Sequence, residues 1–287
     1  MKPARFSYEA PSTLTAALDS LAAWRDEAKI IAGGQSLAPM MNMRLAQPRH
    51  LIDINGLSEL GQVRQETDRL VIGALVRHAG LARDALVRAH APIIAHAANT
   101  IGHYAIRQRG TLGGSLAHAD PAAQLPLVAV ALDARIEIAS TCGRRIVPAT
   151  EFFQSIFSTA LEPDELLVAL HVPLPVRPEG WGFRLFRRRA GDFALVAVAA
   201  TLSRKKDGTA DRLRLAVSGL SSTPVRIAAA ERLTVDPRDP EWAAHTAEAA
   251  AAAAAIDENE QFSVEYRREL LVTMTREALT DALERAP

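Results

Sequence analysis

Ala32-Gly33-Gly34-Gln35-Ser36 and Thr111-Leu112-Gly113-Gly114-Ser115 are the two stretches that decide the fold of this chain. Each holds a glycine pair, ends in a hydroxyl residue and precedes an apolar run with helical spacing. A glycine pair lets the backbone adopt positive φ and lets a ligand approach without meeting a Cβ atom. Successive N–H groups in such a turn, followed by a helix N-terminus, form a nest for an anion. Two such loops predict one extended phosphate ligand held at two points, such as a dinucleotide pyrophosphate.

The glycine pairs also fit ordinary turns, because Gly-Gly is a common turn sequence. Neither loop matches the Rossmann pattern G-x-G-x-x-G or the P-loop with its lysine. Ser36, Thr111 and Ser115 would add hydroxyl donors to a phosphate site. From the residues alone, an ordinary turn and a phosphate-binding loop both stay open for each stretch.

The remaining motifs give little sign of catalysis or metal binding. Ser36 does not lie in a G-x-S-x-G elbow, and the eight histidines never show H-x-x-x-H spacing. Asp120 is placed to cap a helix that starts at Pro121, and a ligand-facing role for His118 or Asp120 is the alternative. We therefore expect no catalytic residue and no metal in this chain.

The composition excludes several classes of protein. Hydrophobic residues make up 48% of the 287 residues, enough for a sizeable core. Lys and Arg number 33, as do Asp and Glu, so the basic surplus needed for nucleic acid or an anionic membrane is missing. The single cysteine, Cys142, excludes an internal disulfide and a cysteine-ligated Fe–S cluster. No apolar run could span a membrane and no signal peptide is recognisable, so we expect a cytoplasmic protein.

Hydrophobic patterning predicts two α/β units before a proline-rich linker at residues 173–178. The first unit holds a helix from Ser12 or Thr13 to about Trp24 and another over residues 37–45. The remaining predicted helices cover residues 77–87, 92–98 and 121–132. Strands are predicted at 28–32, 50–54, 135–139, 144–147 and 166–172, with a hairpin over 63–73.

The segment after the linker predicts an antiparallel sheet and a group of helices. Strands are predicted at 183–187, 193–204 and 212–218, with Lys205-Lys206-Asp207-Gly208 as a turn between two of them. Helices are predicted at 225–233, 240–256 and 264–286. The alanine-rich run inside the second of these favours packed helix over linker, because alanine has the highest helix propensity.

Taken together, the segments resemble the FAD-binding medium subunits of the molybdenum hydroxylases, the family of carbon monoxide dehydrogenase and xanthine dehydrogenase. The resemblance includes Arg188-Arg189-Ala190-Gly191-Asp192-Phe193 and the stretch around the second glycine pair. The matching segments follow the order of the family over most of the chain: 32–37, 44–48, 101–103, 106–121, 160–167 and 188–196.

The resemblance implies an α+β fold with three parts. Residues 1–57 and 58–175 would be the two FAD-binding subdomains of a vanillyl-alcohol-oxidase/PCMH-type fold. Residues 179–287 would be a C-terminal domain in which an antiparallel sheet carries a helical layer.

The resemblance also implies which residues bind FAD. The two glycine loops would hold the pyrophosphate and neighbouring parts, while residues 101–102, the backbone at Leu161, Phe193 and a basic Arg184 would lie near the flavin. The predicted cofactor-binding residues are Ala32, Gly33, Gly34, Gln35, Ser36, Leu37, Ile101, Gly102, Thr111, Gly113, Gly114, Ser115, His118, Asp120, Gln124, Leu161, Arg184 and Phe193.

Two positions depart from the family pattern. Ser115 stands where asparagine is frequent, and Gln124 stands where an acidic residue commonly contacts the ribose. Glutamine can still accept a hydrogen bond from a hydroxyl through its amide oxygen. We therefore expect FAD to be retained, with that contact weakened.

The function implied by the resemblance is that of an oxidoreductase subunit, a flavoprotein that transfers electrons. It would receive them from two [2Fe–2S] clusters in a small partner subunit and pass them through FAD to an external acceptor. A large partner subunit would carry molybdopterin, in an (αβγ)₂ heterohexamer. A stand-alone flavin-dependent reductase or oxidase, or a non-catalytic nucleotide-binding module, would be the alternatives. The substrate of the whole enzyme and the final acceptor stay open.

Overall fold

The first sheet contains three parallel strands that position the first glycine loop. The computed structural model describes residues 2–232 and 236–287. Strands β1 (Ser7–Glu9) and β2 (Ala28–Ile31) flank β3 (His50–Asp53), and both pair with it in parallel. Helix α1 (Leu14–Trp24) lies between β1 and β2 in the chain, and the short helix α2 (Leu37–Asn42) lies between β2 and β3.

Helix α1 confirms the predicted capping and periodicity. The Thr13 hydroxyl accepts a hydrogen bond from the Ala16 N–H at 3.2 Å, which satisfies one of the free donors of the first turn. Its buried residues Ala17, Leu18 and Leu21 share a core with Ile52 of β3. This packing fixes the strand that leads into residues 32–36.

Five antiparallel strands form the second sheet, in the order β4-β5-β10-β6-β7. They are β4 (Val63–Gln65), β5 (Arg69–Gly73), β6 (Arg135–Ser140), β7 (Gly143–Pro148) and β10 (Leu166–Pro173). A separate two-stranded hairpin consists of β8 (Phe153–Ser155) and β9 (Ser158–Thr159). The helices of this part are α3 (His78–Leu81), α4 (Ala85–His90), α5 (Pro92–Thr100), α6 (Tyr104–Arg109), α7 (Leu112–His118), α8 (Gln124–Ala131) and α9 (Ala149–Phe152).

Helix α8 joins the second and third parts through one hydrophobic core. All of its residues are buried, from Gln124 to Ala131. A helix that is apolar on every side is typical of the centre of a large protein. Its core cluster includes Leu170 of the second sheet and Ala199 and Ala216 beyond the linker. The two parts therefore pack as one body around α8.

The third part is a four-stranded antiparallel sheet with a helical layer. The strands are β11 (Glu179–Phe186), β12 (Val196–Arg204), β13 (Ala210–Ser218) and β14 (Val225–Arg226), in that order across the sheet. The helices are α10 (Ala228–Glu231), α11 (Trp242–Ala253) and α12 (Val264–Arg285). The mixed helix and sheet fold agrees with the predicted fold class.

Three predicted helices differ from the structure. The helix expected at 77–87 is divided into α3 and α4, because Asp84 accepts the Val87 N–H and caps a second helix. The helix expected at 225–233 is instead β14 followed by the short α10, because residues 225–226 pair with β13; the expected end at Leu233 lies outside the described residues. The helix expected from Pro121 begins at Gln124. Among the residues that the structure describes, no helix is both long and apolar enough to cross a membrane.

Candidate functional site

The two glycine loops lie against each other. The first glycine loop, residues 32–36, follows β2, and the second glycine loop, residues 109–115, leads into α7. A methyl group added to Gly33 would lie 2.4 Å from the carbonyl oxygen of Arg109 and 2.9 Å from the Cα atom of Gly110. The two backbones therefore pack directly on each other, so a single extended ligand can contact both loops.

The first glycine loop has the free N–H groups expected of an anion nest. Its carbonyl groups are engaged, since Asn55 Nδ2 donates to the Ala32 oxygen at 2.8 Å and Gln35 Nε2 donates to the Gly33 oxygen at 2.9 Å. Gly34 has a φ of 68°, a conformation that favours glycine. Across residues 2–232 and 236–287, no group accepts a hydrogen bond from the N–H of residues 33–36. These donors are available to a ligand.

The second glycine loop does not form the predicted amide nest. The N–H of Leu112 donates to the Val76 oxygen at 2.9 Å, and that of Gly113 donates to the Ala74 oxygen at 2.8 Å. The N–H of Gly114 donates to Thr111 Oγ1 at 3.0 Å. Thr111 caps α7, and residues 74–76 bind the start of the helix, so these donors are already satisfied.

The two glycines of the second loop have different surroundings. Gly113 is buried, and a methyl group there would lie 2.6 Å from the Ala74 Cβ atom. Gly114 is exposed, and a methyl group there would meet only Thr111 Oγ1, at 2.8 Å. Gly113 therefore permits close packing inside the protein, while Gly114 presents a backbone surface without Cβ to a ligand.

A polar network behind the two loops was not predicted from the sequence. Arg77 Nη2 donates to Asn55 Oδ1 at 2.5 Å, and Arg77 Nη1 donates to the Arg109 carbonyl oxygen. Asn55 also donates from Nδ2 to Asp53 Oδ1 at 2.6 Å. Tyr8 donates to the other oxygen of Asp53 at 2.7 Å. Burial opposes ionisation of Asp53, but the hydrogen bonds from Asn55 and Tyr8 outweigh it and lower the pKa of this carboxyl.

His78 supports the second loop from inside the protein. Its Nε2 lies 2.9 Å from the Thr111 oxygen, and its backbone N–H donates to the Gly110 oxygen at 2.9 Å. Burial lowers the pKa of His78 from 6.5 to about 4. The ring is therefore neutral at pH 7, and its Nε2–H donates to the Thr111 carbonyl oxygen.

The segment around Gly191 lies against residues 100–103. Arg187 Nη1 donates to the Thr100 oxygen at 2.9 Å. A methyl group on Gly191 would lie 2.4 Å from Cε1 of His103. The structure thus brings the predicted flavin-side residues 101–102 near the loop that carries the exposed Phe193.

Arg184 has a partner of its own on α12. Its Nε and Nη2 donate to the two carboxylate oxygens of Asp281, at 2.9 and 2.8 Å. In the described part of the chain, no hydrogen bond or ion pair joins Arg184 to either glycine loop. Its assignment to the cofactor stays a prediction. Two other arginines bind the segment instead: Arg187 donates to the Thr100 oxygen, and Arg107 donates from Nη1 to the oxygens of Ile101 and Gly102 at 2.9 and 3.0 Å.

The turn that carries Leu161 is held by an arginine from β7. Arg145 donates from Nε and Nη2 to the two carboxylate oxygens of Glu165, each at 2.6 Å, and from Nη2 to the Ala160 oxygen at 2.6 Å. Glu165 in turn accepts the Glu162 N–H at 2.9 Å. The hydrogen bonds from Arg145 lower the pKa of Glu165. Leu161 is thereby held in a fixed, half-buried turn.

The three predicted residues beyond α7 take different roles. His118 stacks on Phe157 with ring centroids 4.9 Å apart, and burial lowers its pKa. Asp120 does not cap α8; it lies four residues before the helix starts and accepts the Ala122 N–H at 2.8 Å in a turn. Gln124 is 4% exposed, and its side-chain amide bonds to no residue that the structure describes.

Family models match nearly the whole chain. Residues 4–175 match the FAD binding domain in molybdopterin dehydrogenase. Residues 181–282 match the CO dehydrogenase flavoprotein C-terminal domain. The break between the two matches, residues 176–180, overlaps the proline-rich linker.

Two curated relatives and one solved structure illustrate the similarity. The 6-hydroxypseudooxynicotine dehydrogenase complex subunit alpha of Paenarthrobacter nicotinovorans is 40% identical over 100% of this chain and 97% of its own length. The carbon monoxide dehydrogenase medium chain of Hydrogenophaga pseudoflava is 38% identical over 79% of this chain and 78% of its own. The structure of quinoline 2-oxidoreductase from Pseudomonas putida 86 superposes with a TM-score of 0.94 at 36% identity, covering 99% of both chains.

Proposed function

Because this chain belongs to the FAD-binding medium subunits of the molybdenum hydroxylases, we propose that it holds one FAD where its two glycine loops meet. The observation that carries this proposal is the direct backbone contact between Gly33 and Arg109–Gly110. Two separate turns would not need such a contact, whereas two parts of one binding site do.

The residues at the contact fit a dinucleotide. The first glycine loop offers the N–H groups of residues 33–36 to a pyrophosphate, and the Ser36 hydroxyl forms no capping bond with the described part of α2. The second glycine loop contributes the exposed backbone of Gly114 and the half-buried Ser115 hydroxyl, whereas the buried Thr111 hydroxyl caps α7. Gln124, whose amide has no partner among the described residues, fits a ribose hydroxyl.

The remaining predicted residues fit the flavin end of the site. Residues 101–102, the backbone at Leu161 and the Phe193 side chain would line the flavin. We add Arg187 to this group because it contacts the Thr100 carbonyl beside that segment. When bound, FAD supplies the redox chemistry, accepting electrons from the partner's clusters and releasing them to an acceptor. The chain itself binds and orients the cofactor, and no acid or base is required of it.

The partners are part of the same proposal. A small subunit with two [2Fe–2S] clusters and a large molybdopterin subunit would join this chain in an (αβγ)₂ heterohexamer. The support is the family, whose relatives include a named complex subunit and a medium chain. A cytoplasmic location is also proposed, since a chain with one cysteine carries no internal disulfide.

The experiment is purification of the full-length chain together with the proteins that accompany it in its host. We expect a flavin absorbance band that bleaches on addition of dithionite, and co-purifying molybdopterin and Fe–S subunits. A nucleotide-binding module would show no reducible flavin, and a stand-alone reductase or oxidase would turn over as a single chain. A purified complex without FAD would contradict the proposal.

A variant of the exposed loop glycine tests the location of the site. Gly114→Val places Cβ and its methyl groups on the surface proposed for the pyrophosphate, so FAD content should fall to near zero. Thermal unfolding of the FAD-free variant checks that the only protein contact of the new Cβ, with the Thr111 hydroxyl, is tolerated. Normal FAD content in Gly114→Val would refute the assignment of this loop.

A further inference from the structure

Resting on the proposed function, we propose that Asn55 and Arg77 form a clamp that fixes the spacing of the two glycine loops, and are positioning residues for FAD. Asn55 lies just after β3, and Arg77 lies between β5 and α3. Neither belongs to a glycine loop or to the residues predicted to touch the cofactor. Each binds the backbone of one loop, and the two side chains bind each other.

The Asn55 amide is fully used, which fixes its orientation. Its Oδ1 accepts from Arg77 at 2.5 Å, and its Nδ2 donates to the Ala32 carbonyl oxygen at 2.8 Å and to Asp53 Oδ1 at 2.6 Å. A flipped amide would point its N–H groups at a guanidinium and its oxygen at a carboxylate. Tyr8 completes the arrangement by donating to Asp53 from β1 at 2.7 Å.

The clamp binds carbonyl oxygens and thereby orients the N–H groups of the first glycine loop. In a trans peptide the C=O of one residue and the N–H of the next point in opposite directions. Asn55 holds the Ala32 oxygen on the protein side, so the N–H of Gly33 points away from Asn55. This accounts for the free donors in a loop whose acceptors are engaged.

Arg77 performs the same task on the other loop. It donates to the Arg109 carbonyl oxygen, the group that approaches Gly33 most closely. Residues on both sides of Arg77 are bonded to the second glycine loop, through Val76 with Leu112 and His78 with Gly110. Through its hydrogen bond to Asn55, the Arg77 guanidinium therefore joins a rigid second loop to the first loop.

The geometry and the charge of a guanidinium both suit this role. The fork of a guanidinium can donate to an amide oxygen and a carbonyl oxygen at the same time, which a lysine ammonium cannot do with the same geometry. Asp53 partly balances the positive charges of Arg77 and Arg109, which repel each other. Burial lowers the pKa of Arg77 most, and the nearby positive charge of Arg109 lowers it further. The guanidinium still stays charged at neutral pH.

The test uses the full-length chain, with Arg77→Met and Asn55→Ala as single variants and combined. FAD affinity is measured by titration of flavin fluorescence. Each single variant removes hydrogen bonds that orient the donors of the first loop, so it should raise the Kd for FAD on the order of tenfold to a hundredfold. Because the clamp works only as a pair, the double variant should lose no more affinity than the weaker-binding single variant.

Hydrogen exchange on the FAD-free chain provides an independent readout. Both single variants should speed exchange at Ala38, whose N–H donates to the Gly34 oxygen, and at Gly110 and Leu112 together, since either change releases both loops from their common spacing. Arg77→Lys should restore part of the FAD affinity by keeping one donor and the charge. Arg83→Met, which removes an exposed arginine from the same surface, is the matched control and should change neither quantity.

Faster exchange confined to residues near 77, or affinity losses that multiply in the double variant, would overturn the clamp. Failure of the wild-type chain to bind FAD would contradict the proposed function, while the exchange experiment would still decide the clamp. Thermal unfolding of each variant ensures that only folded protein is compared.

Discussion

Gly33→Ala tests most sharply whether the contact between the two loops matters for FAD. The φ of Gly33 lies outside the left-handed region, so alanine fits the backbone, and the nearest obstacle in the described part of the chain is the second loop. The new Cβ would lie 2.4 Å from the Arg109 oxygen and 2.9 Å from the Gly110 Cα. To reach the 3.4 Å of ordinary van der Waals contact, the loops must separate by about 1 Å.

The structure gives the size of the expected effect. Both atoms that meet the new Cβ belong to the backbone, which yields less easily than a flexible side chain. Overpacking of this kind costs about 1–3 kcal/mol. If FAD pulls the loops back to their original spacing, that energy is subtracted from binding, and about 1.4 kcal/mol is a factor of ten. The Kd for FAD should therefore rise roughly fivefold to a hundredfold.

The assay is isothermal titration of the FAD-free full-length chain with FAD, beside thermal unfolding of the same samples. Gly61→Ala is the matched control, because no heavy atom that the structure describes lies within 4 Å of the Cβ it would carry. Gly34→Ala is a second comparison, since its Cβ meets Ile31 at an ordinary 3.4 Å but its φ is 68°. Wild-type affinity in Gly33→Ala would refute the reasoning that one ligand spans both loops.

Two further predictions concern groups that hold the site in place. The pKa of His78 is about 4 in the folded protein, compared with 6.5 in the unfolded chain. Between these pH values the unfolded chain binds more protons, so the stability falls as the pH drops. This residue should lower the free energy of unfolding by about 2 kcal/mol between pH 7 and pH 5. In chemical denaturation, His78→Gln, which keeps a donor for the Thr111 oxygen, should lack that part of the dependence of stability on pH. An unchanged dependence in the variant would contradict a buried neutral ring. Arg145→Met should free the turn that carries Leu161, raising the Kd for FAD several-fold while lowering Tm by only about 2 °C, because the pair with Glu165 is partly exposed. Visible circular dichroism of the bound flavin would report the change. An unaltered spectrum and an unaltered Kd would show that Leu161 does not lie against the flavin.

Local patterns in the sequence predicted the elements whose signals are local. Helix α1 has a threonine cap and an apolar face, and the turn at 205–208 has a lysine-lysine-aspartate-glycine sequence, so both appear near the expected residues. Strand β1 has only three residues, and its partner β3 lies about 40 residues away, so no periodicity could reveal it. The start of α8 was misplaced because Asp120 caps a turn before the helix.

The site shows the same difference between features with local sequence signals and features that depend on distant residues. The glycine pairs were visible in the sequence, but their different tasks were not. Gly113 packs on Ala74, and the amides of the second loop bind residues 74–76, contacts that depend on a distant strand end. Asn55 and Arg77 carry no motif, since a side chain that binds a backbone carbonyl leaves no pattern in its neighbours.

The most direct measurement is a crystal structure of the full-length chain, alone or in its complex, with FAD bound. We expect pyrophosphate oxygens within hydrogen-bond distance of the N–H groups of residues 33–36 and in contact with Gly114. We also expect that the Asn55–Arg77 hydrogen bond is retained. A pyrophosphate that contacts only one of the two loops, or neither, would contradict the central claim that both loops hold a single FAD.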